Sequence, residues 1–277
     1  MKLKLPQFET KKELYKYLVA NKEELIQLKQ TAANKQADAV AFDGYSNETF
    51  KALNSNHLPK DDIEGGTIYR TVIANTYYWL DSHSDVHVKG IFTKSIQENK
   101  SKIRHTHDHV QMITAKVAKV MDIYEKEVSW KDLNVNKDGS TICLMSDSEI
   151  KASYNKQIFD GYVEGEINQH SVEMIYEKMQ LAINDPDEKA EYKAWQSVFP
   201  LLGNPEKALQ DGYFFIQSTS KLKAFSCVVE GSNSLTGTIE PPIQDTQKDI
   251  EPPTKGTQQK SYLDIAEQIL LTIKTKK

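Results

Sequence analysis

Three histidines stand close together in Ile103-Arg104-His105-Thr106-His107-Asp108-His109, and a serine lies in Gln169-His170-Ser171-Val172-Glu173. Side chains alternate along a strand, so on an extended backbone His105, His107 and His109 share one face. Three imidazoles on one face make a zinc-ligand set; unused, they form a polar, solvated edge. A hydroxyl and an imidazole brought within about 3 Å by the fold make a different device. The imidazole takes the hydroxyl proton during attack and returns it to the leaving amine. The oxyanion that forms needs preset donors, commonly backbone N–H groups. The Ser171 segment itself reads in two ways. As a strand it turns Val172, Met174 and Tyr176 to the core and leaves Ser171 and Glu173 opposite; as a helix it aligns Val172, Ile175, Tyr176, Met179 and Ile183. On a strand, adjacent His170 points away from Ser171 and cannot be its base. The residues alone therefore support a serine hydrolase, a metal-dependent hydrolase built on His105, His107 and His109, or no chemistry.

The elements that must position these groups follow from patterning. Thr10-Lys11-Lys12-Glu13 reads as a capping box, and Leu14, Tyr17, Leu18, Leu25 and Leu28 follow at helical spacing, which predicts a helix from Lys11 to Ala32. A polar stretch through Asp62 sets this N-terminal arm (1–64) apart. Thr67–Leu80 is rich in β-branched and aromatic residues and predicts a strand. Asp81–Asp85 reads as a polar turn, Val86–Phe92 resumes the strand pattern, and Thr93–Lys100 reads as a short helix. Lys102–Val120, Thr141–Met145, Tyr213–Gln217 and Leu222–Val229 are further strand candidates, and Asp187–Val198 is helical in pattern. The expectation is an α+β chain with a mixed, β-barrel-like domain over residues 65–238, flanked by helices. Paired prolines in Ile239-Glu240-Pro241-Pro242 and Ile250-Glu251-Pro252-Pro253 predict a linker over 239–260. Beyond it, Tyr262, Ile265, Ala266, Ile269, Leu270 and Ile273 predict a tethered amphipathic helix over 261–277 that docks on its own domain or on a partner.

Bulk properties narrow the class. With 277 residues, 27% charged, a mean hydropathy of -0.58 and a net charge of -4, the chain is globular in composition and has no broad attraction for nucleic acid or anionic membrane. No apolar run approaches the ~20 residues of a membrane span, and Met1–Pro6 is too short and too charged for a signal peptide. Two cysteines, Cys143 and Cys227, exclude a disulfide framework and fit a reducing cytoplasm.

Four ordered segments resemble the prohead (capsid maturation) serine proteases of tailed bacteriophages, distant relatives of the herpesvirus assemblins. Asp81-Ser82-His83-Ser84-Asp85 with Gly90-Ile91-Phe92 and Ser95-Ile96 is similar to that family's entry motif. Ile103 to His109 is similar to the segment ending in its catalytic histidine, and Gln169-His170-Ser171-Val172 to the segment carrying its nucleophile. Lys221–Val229 with Gly231-Ser232-Asn233-Ser234-Leu235-Thr236 resembles its closing strand and turn. The likeness covers about Thr67 to Thr238. It implies Ser171 as nucleophile and His109 as general base, with His107 the second choice because His107-Asp108 repeats the family's "His-Asp". Ala224 stands where many members carry an acidic third residue, so His107, Asp108 or Glu173 would have to orient the base. The resemblance further implies an endopeptidase without metal or cofactor that cleaves scaffold segments, the major capsid protein and itself. It would act as a homo-oligomer within the assembling prohead in the host cytoplasm, contacting neither nucleic acid nor membrane. The competing expectation is a catalytically degenerate assembly protein.

Overall fold

The pattern expected to give one N-terminal helix gives two, α1 (Lys11–Ala20) and α2 (Lys22–Thr31), in a computed structural model that describes residues 3–31, 50, 53 and 55–239. Thr10 caps α1 by accepting the Glu13 N–H (3.2 Å), and Asn21 ends it, its side-chain amide donating to the Tyr17 carbonyl (2.8 Å). Tyr15, Leu18 and Leu25 pack on Leu181, Ile183 and Phe215 of the sheet, so these helices cover core rather than project from it. All described residues fall in one compact unit. The expected linker beyond Ile239 and the C-terminal helix lie outside the described residues.

Eight strands form one mixed sheet: β1 (Thr67–Thr76), β2 (Asp85–His87), β3 (Arg104–His107), β4 (Lys116–Ser129), β5 (Ser140–Lys151), β6 (His170–Ile183), β7 (Tyr213–Cys227) and β8 (Gly237–Ile239). Between them lie α3 (Thr93–Asn99), α4 (Lys156–Val163), α5 (Lys189–Val198) and α6 (Pro205–Asp211). The two strands expected over 213–217 and 222–229 are one continuous β7. It runs antiparallel to β6 along one edge; on the other it takes β2 in parallel near Phe215 and β3 in parallel from Ala224 to Cys227. The rest of the sheet continues as β3-β4-β5-β1-β8.

The barrel expectation is corrected here, because the sheet is open. Strands β6 and β8 lie at its two ends, and no ladder joins them. They approach through side chains instead: the Thr238 hydroxyl donates to the Ile167 carbonyl (2.8 Å), and the His170 N–H donates to the Thr236 hydroxyl (3.1 Å). A three-residue β8, bonded to β1 on its other side, offers too little backbone to close a barrel.

One core brings Val72, Phe92, Ile103, Ile123, Leu144, Val172 and Phe225 together. Trp195 and Val198 of α5 cover Val86, Phe214 and Ile216, while Phe159 and Tyr162 of α4 cover Ile68, Val117 and Ile150. Each such side chain contributes roughly 1.5–3 kcal/mol by leaving water. Gly212 ends α6 in the left-handed region (φ 77°), and a Cβ there would meet the Tyr15 hydroxyl at 2.0 Å, so only glycine lets α1 approach so closely.

Candidate active site

Alternation fixes which groups can meet. In β6 the strand reading holds: Val172 joins the core, which turns Ser171 and Glu173 to the other face. Ser171 pairs with Ser226 of β7, and Ser226 pairs with Thr106 of β3, so three hydroxyl side chains form one row across three strands. The Thr106 and Ser226 hydroxyls are 2.8 Å apart. All three residues are buried.

Strand β3 stops at His107, and Asp108 and His109 both adopt left-handed backbone, φ 50° and 57°. That conformation is costly for residues with a Cβ. It turns the chain back over the sheet, where the His109 N–H donates to the Ser226 hydroxyl at 3.2 Å. Two residues on, the Gln111 side-chain amide donates to the Glu173 carboxylate. Residues 109–111 are therefore strapped at both ends over the strands carrying Ser226, Ser171 and Glu173. His109 is 8% exposed, and neither of its ring nitrogens has a hydrogen-bond partner among the described residues. Burial lowers its pKa below the usual histidine value, with nearby Asp108 partly opposing. Burial raises the Glu173 carboxyl, opposed by Lys223 and Gln111.

The expectation that His105, His107 and His109 share a face is corrected by that turn. His105 lies on the opposite side of the sheet from the Ser171 row, against the Phe225 ring, its Nδ1 3.1 Å from the Ser148 hydroxyl and its Nε2 3.1 Å from the Tyr162 hydroxyl. His107 is in register with Cys227 and His170, hence on that same far side, and its Nδ1 lies 3.0 Å from the Asp108 carboxylate. His109 alone of the three is strapped to the Ser171 side. Among the described residues the three imidazoles do not form a metal-ligand group.

His170 closes a network on the far side. Its Nε2 is 3.0 Å from the Tyr162 hydroxyl, so one phenol sits between two imidazoles. A single phenolic proton serves only one of them, so the other ring must donate its own N–H to the phenol oxygen. His170 Nδ1 is buried without a partner among the described residues. An unpaired acceptor is better tolerated there than an unpaired donor, which assigns the Nε2–H tautomer to His170. Both rings are held neutral: burial lowers His105 far below the usual value and His170 to about 3.

Sequence reasoning missed the fate of the 81–85 turn and the role of Lys29. Asp81, His83 and Asp85 are buried, and one Asp81 oxygen accepts the N–H groups of His83 and Asp85, both at 2.8 Å. Asp85 takes the Lys29 ammonium at 2.7 Å, the Gln217 amide at 2.9 Å and the Tyr176 hydroxyl at 3.1 Å. The same three residues bring ligand atoms within 4.8 Å of one another, a cation-sized grouping, but Lys29 already supplies the positive charge there. Lys29 lies in the last turn of α2, whose pattern gave no hint of a buried ammonium.

The closing turn explains its own spacing. A Cβ on Gly231 would lie 2.6 Å from the His170 carbonyl oxygen. The Asn233 amide donates to the Thr76 carbonyl (2.7 Å) and to Asn75 Oδ1 (3.0 Å), and Thr236 receives the His170 N–H. The 81–85 loop joins in through the Ser82 N–H to the Ser232 carbonyl (3.0 Å), and Ser95 accepts the Leu222 N–H (2.9 Å). Comparison with family models, curated proteins and solved structures gives no match.

Proposed function

We propose that this chain is a serine endopeptidase of the tailed-phage prohead type, with Ser171 as nucleophile and His109 as its general base. The observation that carries the reading is the strap of residues 109–111. It fastens the His109 backbone to Ser226, the cross-strand neighbour of Ser171, and the buried His109 ring has no hydrogen-bond partner at either nitrogen among the described residues. A neutral imidazole with a free nitrogen is what proton abstraction needs. No hydrogen bond joins Ser171 to an imidazole among the described residues, and catalytic bonds commonly tighten only with substrate bound. Further support comes from the four segments quoted for the resemblance, all of which bond to β6, to β7 or to the turn after it. Ala224 carries no carboxylate, but its cross-strand partner Glu173 does, two residues along the same face from Ser171, and it is our candidate for orienting the base.

In this reading the enzyme acts as a homo-oligomer inside the assembling prohead, in the host cytoplasm. Its substrates are scaffold and capsid-precursor polypeptides and its own chain. The test is co-expression with the capsid precursor of the same phage. Ser171→Ala abolishes processing while the protein stays folded; continued processing by that variant overturns the assignment. A catalytically degenerate assembly protein is the second reading, favoured by Ala224.

A further inference from the structure

We infer that the free edge of β4 is a docking groove for an extended, acidic polypeptide segment. Strand β5 pairs with β4 from Ala118 to Ser129, but β3 pairs with its other edge only at Lys116 and Ala118. From Lys119 onward that edge carries no ladder among the described residues. An unpaired edge presents backbone donors and acceptors that an added strand can satisfy in register.

A groove of about 600 Å³ opens at this point, lined by Arg104, Lys116, Lys119 and Lys100 and by apolar Val120 and Met121. Met121 is the extra residue of a β-bulge, skipped between Val120 and Asp122 in the pairing with β5, and is 44% exposed. Asp122 is the one acidic lining residue, and Lys100 neutralises it. In a chain of net charge -4, this concentration of cations runs against the overall balance and attracts anions locally.

Three features select a polypeptide over a nucleic acid. The lining includes apolar Val120 and exposed Met121, no aromatic ring lines the groove among the described residues for base stacking, and Asp122 opposes a phosphate backbone. Glutamates on alternate positions of an added strand would face Arg104 and Lys119, while apolar side chains between them would meet exposed Met121. The same lysines repel a second copy's basic edge, so the occupant is a different segment. This inference stands apart from the assignment of Ser171.

The test uses the full chain and a fluorescent peptide alternating glutamate and valine. Its counterparts are the same peptide with lysine for glutamate, and a single-stranded oligothymidylate. The glutamate peptide binds, and Arg104→Glu with Lys119→Glu weakens it by about tenfold or more. Both side chains are exposed, so the variant is checked for an unchanged melting temperature. On the wild-type chain, saturating peptide slows hydrogen exchange of the amides of residues 119–125, a readout that needs no variant. Equal binding of the lysine peptide, tighter binding of the oligothymidylate, or no slowing of exchange over 119–125 would each overturn the inference.

Discussion

On one face of β3, β7 and β6, His105 and His170 flank the Tyr162 hydroxyl at 3.1 and 3.0 Å, and His105 also meets Ser148. On the other face, Ser171, Ser226 and Thr106 form a row beneath His109, whose ring nitrogens have no partner among the described residues. The same strands supply both sides, and neighbours in sequence, His170 and Ser171, fall on opposite ones. A buried polar group without a bond costs roughly 1–3 kcal/mol. His105 is bonded at both nitrogens and His170 at one, whereas His109 is bonded at neither among the described residues, so the two faces differ in where the fold leaves an imidazole bare. Such places are where function is to be sought.

This contrast predicts that the two faces fail differently. The largest effect belongs to His109→Ala, expected to lower peptide cleavage by roughly a thousandfold or more with little change in the urea midpoint. Because burial lowers the His109 pKa, cleavage should persist below pH 6.5 before it falls, the base being protonated only at lower pH. An acid limb centred above that value would contradict the buried, neutral ring. Lys29→Met removes the ammonium from a buried Asp85 and should cost on the order of 3 kcal/mol in urea unfolding. A midpoint unchanged by that substitution would remove the strut assigned to α2.

Acid comes next. His170 stays neutral down to about pH 3 when folded but titrates near 6.5 when unfolded. Below pH 6.5 the unfolded chain binds the extra proton, so stability is complete above 6.5 and falls as the pH drops, by roughly 3 kcal/mol near pH 4 from this one ring. His105 acts in the same direction. Thermal melts across pH 4–8 measure the fall, and its reduction in His170→Asn identifies the source. The smallest effect is expected of Tyr162→Phe, which strips a partner from each of two imidazoles and should cost about 2 kcal/mol, with cleavage by the folded fraction retained. Loss of cleavage in folded Tyr162→Phe would erase the distinction between the faces.

Much of the scaffold was legible in the sequence. Runs of β-branched and aromatic residues marked β1, β5 and both halves of β7, and the apolar periodicity of 187–198 marked α5. The alternation Val172, Met174 equally admitted a helix, and only pairing with β7 decides it, since a ladder between distant segments leaves no local trace. The histidine cluster misled for a related reason. Period two holds only while the strand lasts, and two consecutive left-handed residues, Asp108 and His109, are not announced by glycine. The 81–85 turn looked solvated because its residues are polar. Their burial depends on Lys29, fifty-six residues before Asp85, and no local pattern encodes such a partner.

The most direct test of the central claim is a fluorophosphonate probe, which reacts with a serine hydroxyl only where a base activates it. Incubated with folded protein and mapped by mass spectrometry, the probe is predicted to label Ser171 in the wild-type chain and not in His109→Ala. Labelling of Ser171 that survives the loss of His109, or a folded wild-type chain in which Ser171 stays unlabelled, would contradict it.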